Sequence, residues 1–225
     1  MRDHVSRLTL GKMQNPVRGL LHGTAALASI LGAAVLWSRG AGDLSRQLAL
    51  LVFGVSLVAL YTASSLYHSV PWSKVWKARM QRLDHAMIYV LVAGTYTPIA
   101  CIVLDGWHRA LGLGLVWGIG LVGIVQKVWF PNVPDAFSVA LQTSQGWVGL
   151  PFLVRLAQHL PLSALALTVL GGVLYTVGMV AFVTNRPRLW PHVFSYHEVF
   201  HVLVVAGSSV HYAMIFRYVA PFSGA

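Results

Sequence analysis

Charge is what this chain has least of. Only 10% of its 225 residues are Asp, Glu, Lys or Arg, and only six are acidic. Soluble proteins carry roughly 25% charged residues, so this composition excludes an ordinary water-exposed globule. Cysteine is nearly absent as well. The single Cys101 lies inside an apolar run, which excludes a disulfide framework and a cysteine metal cluster. No cleavable export signal is expected, because the first 15 residues are polar and basic and the apolar run after them is long enough to span a bilayer.

Hydrophobic length is what the chain has in abundance. Hydrophobic residues make up 56% of it, in repeated runs of about 20 residues, the length that crosses a hydrocarbon core as a helix. The pattern predicts an all-α polytopic membrane protein with seven transmembrane helices, over Pro16–Trp37, Leu48–Ser69, His85–Leu104, Ala110–Trp129, Val139–Gln158, Leu162–Thr184 and Tyr196–Tyr218. Turn-forming residues punctuate the gaps, as in Arg39-Gly-Ala-Gly-Asp43, Pro71-Trp-Ser-Lys74, Pro131-Asn-Val-Pro134 and Asn185-Arg-Pro-Arg188. No remaining stretch is long enough for a soluble domain. Residues 1–225 therefore read as one seven-helix unit with a short basic segment, 1–15, in front.

A net charge of +10 would point a soluble protein toward nucleic acid. Here the basic residues fall between spans, where they set topology, so membrane lipids are the expected partners and nucleic acid is not. Eleven Lys and Arg lie on the side of the N-terminus, among them Arg18, Lys74, Lys77, Arg79, Arg82 and Lys127. Five lie opposite: Arg39, Arg46, Arg109, Arg155 and Arg217. The excess predicts a cytoplasmic N-terminus and an external C-terminus. The expected location is the plasma membrane, as a multi-pass protein.

Ionisable residues inside a span are costly and usually functional. In the predicted topology His22, His68, Asp84, His197 and His201 all fall near the cytoplasmic face, although they are scattered through the sequence. His197-Glu-Val-Phe-His201 matches the zinc-protease pattern H-E-x-x-H, in which two histidines one helical turn apart hold the metal and the glutamate acts as base. The rest of that pattern is missing. Zinc proteases usually take a third ligand from downstream, but only His211 and Arg217 are ionisable after His201, and position 207 is glycine where the extended motif needs histidine. His211 lies ten residues on, about 15 Å along the helix, too far to share a metal.

The third ligand must then come from upstream, and His68 is the best placed. Three neutral histidines suit a tetrahedral zinc site with one position left for water. Asp84 can accept a hydrogen bond from that water, and Ser64 stands one turn before His68 on the same face. Plainer readings exist. Asp84 can pair with Arg79 or Arg82, and Ser64 can bond a carbonyl of its own helix. Glu198 points about 100° away from His197 and reads as an interfacial or hydrogen-bonding residue, while His22 and His211 read as polar-network residues.

These stretches resemble the hemolysin III proteins, bacterial members of the progestin and adiponectin receptor superfamily. The match runs through Ser64-Ser-Leu-Tyr-His68, Arg82-Leu-Asp-His-Ala-Met-Ile-Tyr89, Ala93-Gly-Thr-Tyr-Thr-Pro98, the His197–His201 motif and Gly207-Ser-Ser-Val-His211. The resemblance implies a zinc near the cytoplasmic side surrounded by Ser64, His68, Asp84, His197 and His201. One departure precedes His22: many members carry a Glu and an Asn there, where this chain has Asn15 and Arg18. The leading expectation is a zinc-dependent membrane hydrolase that cleaves a lipid-like amide or ester, with Asp84 and Ser64 assisting. A membrane sensor with structural zinc and a pore-forming hemolysin are the alternatives.

Overall fold

The computed structural model describes residues 13–130, 132–190 and 193–223, so Arg2, Arg7 and Lys12 of the basic N-terminal segment and Pro131 lie outside the described residues. The helices are α1 (Pro16–Arg39), α2 (Leu44–Ser69), α3 (Lys74–Ile102), α4 (Gly106–Trp129), α5 (Asp135–Trp147), α6 (Leu153–Ala157), α7 (Leu162–Thr184) and α8 (Tyr196–Met214). A 3-10 turn, Leu150–Phe152, precedes α6, and a π-helical turn, Ile215–Val219, ends α8. Apart from an isolated bridge between Trp190 and Phe194, every element among the described residues is helical. Six helices, α1 to α4, α7 and α8 with its π turn, are long and apolar enough to cross a membrane. The chain is an all-α, multi-pass membrane protein.

Two expectations about helix limits need correction. First, α3 begins at Lys74 rather than His85, so Asp84 lies well inside the helix instead of opening it. The charge of Lys74–Arg82 gives it the look of a loop, but Lys, Arg, Met, Gln and Leu are good helix formers, and Ser73 caps the start by accepting from the Trp76 N–H. Second, the fifth span is not one helix. It breaks after Trp147 and resumes through the 3-10 turn into α6. Pro151 lacks an N–H, and its ring would clash with the carbonyl four residues back in a continuous helix; Gly146 and Gly149 weaken the same stretch. Smaller shifts place the start of α2 at Leu44, where Asp43 accepts from the Arg46 N–H at 3.1 Å, and the start of α4 at Gly106.

Over half of the apolar windows of α2 and α3 are buried, against under a fifth of that of α7, so α2 and α3 form the centre and α7 the rim. Phe53, Leu57 and Leu60 of α2 pack with Leu91 and Ile99 of α3 and Met214 of α8. Small residues let the backbones approach, as membrane helices require. A Cβ at Gly94 would strike Ser56 across the α2–α3 seam, and one at Gly123 would strike the Tyr89 ring across α3–α4. The Gln145 amide donates to the carbonyls of Tyr89 and Val116 at 3.0 Å each, tying α5 to α3 and α4.

The described ends of the chain sit at opposite ends of the bundle. Asn15 N donates to the His68 carbonyl at 3.0 Å, beside the end of α2. Arg46, in the first turn of α2, donates to the carbonyls of Ala220 and Phe222 at 3.0 and 2.6 Å. Near that second end, Arg155 donates to Asp105 at 2.8 Å and holds its carboxyl below the usual carboxylate range.

Candidate metal centre

Helix α2 delivers His68 in its last turn, and α8 delivers His197 and His201 one turn apart. The start of α8 is fixed locally. Ser195-Tyr-His-Glu198 forms a capping box, with the Glu198 Oε2 accepting from the Ser195 N–H at 2.8 Å. The i, i+4 spacing then puts both histidines on one face, turned toward α2.

The three rings form a nearly equilateral group. Ring centroids lie 5.2 Å apart for His68–His197, 4.9 Å for His68–His201 and 5.0 Å for His197–His201. A ligating nitrogen from each lies within 4.8 Å of the other two. His68 and His201 are buried and His197 is half-buried. The set fits a metal ion: three imidazoles converge on one point, and the Nδ1 of His201 is buried with no hydrogen-bond partner among the described residues. Imidazole donors suit zinc among the common ions.

Asp84 is buried and lies outside the three-nitrogen group. Ser64, also buried, is near its carboxyl. Neither Arg79 nor Arg82 is among the ion pairs of the described residues. Arg79 lies over the Trp76 ring and Arg82 reaches the Val128 carbonyl at 3.4 Å, so the structure does not bear out pairing with Asp84.

Glu198, the glutamate of the protease-like motif, is engaged through both oxygens. Oε1 accepts from Arg18 Nε at 2.6 Å, and Oε2 closes the capping box. A carboxylate fixed in this way is a strut between α1 and α8, and the protease reading loses its base. Arg18 and Ser195 carry this arrangement; the sequence reading used Arg18 only in the charge count and as a departure from the family pattern, and gave Ser195 no role. The capping box was present in the sequence as Ser-x-x-Glu before an apolar run; the Arg18–Glu198 pairing, between the first helix and the last, had no local signal.

His22 lies closer to the centre than expected. It is buried, its ring is 4.0 Å from that of His201, and it meets Tyr61 edge-on at 5.0 Å. His211 stays apart, as expected, stacked on Tyr175 at 5.5 Å. Tyr175 shares a 2.8 Å hydrogen bond with Ser208.

Comparison with known proteins agrees with this architecture. The family described as "Haemolysin-III related" matches residues 11–212. Hemolysin-3 of Bacillus cereus is 31% identical over 223 residues, covering 98% of this chain and 99% of that protein. A hemolysin-3 homolog of Bacillus subtilis is 31% identical over 201 residues, 88% of this chain and 91% of its own. More distantly, the human monocyte to macrophage differentiation factor is 22% identical over 209 residues, covering 88% of this chain and 81% of its own. With the family match running over residues 11–212 and 31% identity along nearly the whole length of a Bacillus relative, the chain belongs to the haemolysin-III-related family.

Proposed function

We propose that this chain is a zinc-dependent membrane hydrolase that cleaves a lipid-like amide or ester. The convergence of His68, His197 and His201 carries the reading, with the buried Asp84 near Ser64, one turn before His68. The three histidines would hold the ion. Zinc so held supplies Lewis acidity and lowers the pKa of a bound water toward about 7. Asp84 would provide a proton acceptor, with Ser64 near its carboxyl. Glu198 takes no part in proton transfer, because Arg18 and the Ser195 N–H occupy its oxygens. With the basic side of the chain in the cytoplasm, the centre faces the cytoplasmic leaflet of the plasma membrane, and a lipid reaches it laterally.

One observation favours a second reading. His22, packed on His201, adds a fourth imidazole near the group, and an ion closed off by protein ligands would be structural, in a non-enzymatic membrane regulator. The deciding experiment is elemental analysis of the purified protein, followed by lipid profiling of membranes with wild-type or Asp84→Asn protein. Stoichiometric zinc together with a lipid amide or ester that accumulates only in the variant supports the hydrolase. Zinc with no lipid difference supports the regulator, and absence of zinc removes both.

A further inference from the structure

Most of the first nine residues of α3 are exposed. Ser73 to Arg79 and Gln81 to Leu83 are all exposed. Within this stretch Val75 is 62%, Trp76 52% and Leu83 42% exposed, which is unusual for large apolar groups unless something other than water meets them. Lys74, Lys77, Arg79 and Arg82 share the same segment, and the next acid, Asp84, is buried. Among the described residues none of the four cations is paired with a carboxylate. Lys77 donates to Gln14 at 2.8 Å, and Arg79 lies 4.9 Å from the centroid of the Trp76 ring. Trp72 and Trp76 sit side by side at 6.4 Å.

Length fixes the depth of this segment. The 29 residues of α3 extend about 43 Å at 1.5 Å per residue. A hydrocarbon core of about 30 Å takes about 20 of them. Counted back from Ile102, that span ends near Leu83, which leaves Lys74–Arg82 at headgroup level. Cations and tryptophans presented there to a lipid surface match an anionic headgroup in charge and an interface in polarity.

We infer that Lys74–Leu83 with Trp72 is a binding surface for anionic phospholipid headgroups, at the same end of the bundle as the histidine centre. The surface is independent of any catalytic role for that centre. Neutral phospholipid has no net charge for the four cations to meet, so affinity for anionic lipid should fall as salt rises.

The test uses the full-length protein in a neutral detergent, titrated with phosphatidylglycerol, phosphatidylcholine or free glycerol phosphate, with bound molecules counted by native mass spectrometry. Phosphatidylglycerol is expected to be retained and the other two lost. The triple variant Lys77→Gln/Arg79→Gln/Arg82→Gln should bind it on the order of 10²-fold more weakly, at about fivefold per charge. Lys74→Arg/Lys77→Arg should bind as wild type. Equal retention of phosphatidylcholine, retention of glycerol phosphate alone, or undiminished binding by the glutamine variant overturns the inference. If that variant does not fold, wild-type affinity that stays constant over an about tenfold range of ionic strength overturns it instead.

Discussion

Arg18 Nε and Glu198 Oε1 meet at 2.6 Å, with both side chains less than a tenth exposed, and so join the first helix to the last. Four residues further along α1 and three along α8, His22 packs on His201. Further on, the Tyr212 hydroxyl donates to the Gly32 carbonyl at 3.0 Å. The two helices are thus held by a ladder of contacts, with the ion pair as its bottom rung. The cation that precedes His22 in α1 is thus answered by an acid in α8.

Breaking that rung should be expensive. Arg18→Ala leaves Glu198 buried without its partner, and a loss of about 3–5 kcal/mol is expected. Arg18→Met/Glu198→Met removes both charges and should recover much of that loss. Chemical unfolding in detergent measures both, and equal stability of Arg18→Ala and wild type would remove the strut.

The three histidines should act as a set. His68→Ala, His197→Ala and His201→Ala are each expected to lower the zinc content of the purified protein, whereas His211→Ala leaves it unchanged. Elemental analysis reads the result directly. Equal zinc in all four variants would remove the site.

Asp84 separates a working centre from a structural one. Asp84→Asn keeps the shape and one acceptor but not the charge, so zinc content and thermal stability should hold. Hydrolysis of any lipid amide or ester should fall by roughly 10²-fold or more. A variant that loses its zinc makes Asp84 a ligand and transfers the argument to the regulatory reading.

Glycine at 171 makes room for an imidazole. A Cβ there would run into His211, so Gly171→Ala should cost about 1–3 kcal/mol through overpacking. Gly118→Ala meets no atom within 4 Å and should be neutral or stabilise by up to about 1 kcal/mol. Thermal melts of the two variants should therefore move apart, and parallel melts would contradict the packing described at His211.

Much of this was legible in the sequence, because a bilayer makes hydrophobic length a strong signal. The limits of α7 came out residue for residue, since Pro161 and Asn185 bound an uninterrupted apolar run. The left-handed backbone of Asn185, at φ 54°, is what stops that helix. The histidine group was legible from depth and the i, i+4 spacing. The start of α3 was not, because charge marks water exposure rather than the end of a helix. The break at Pro151 carried a plain local signal that the apolar count outweighed. The Arg18–Glu198 pair and the seat of His22 against His201 depend on how α1 meets α8, which no periodicity encodes.

Because His68 belongs to α2 while His197 and His201 belong to α8, the order of synthesis constrains the centre. A ribosome has released α3 to α7 before the last two histidines exist, and Arg18 waits equally long for Glu198. The histidine group can form only on a finished chain. Its assembly is therefore a late step in biogenesis, and a chain truncated before α8 would enter the membrane with α1 to α4 and α7 in place and no centre at all.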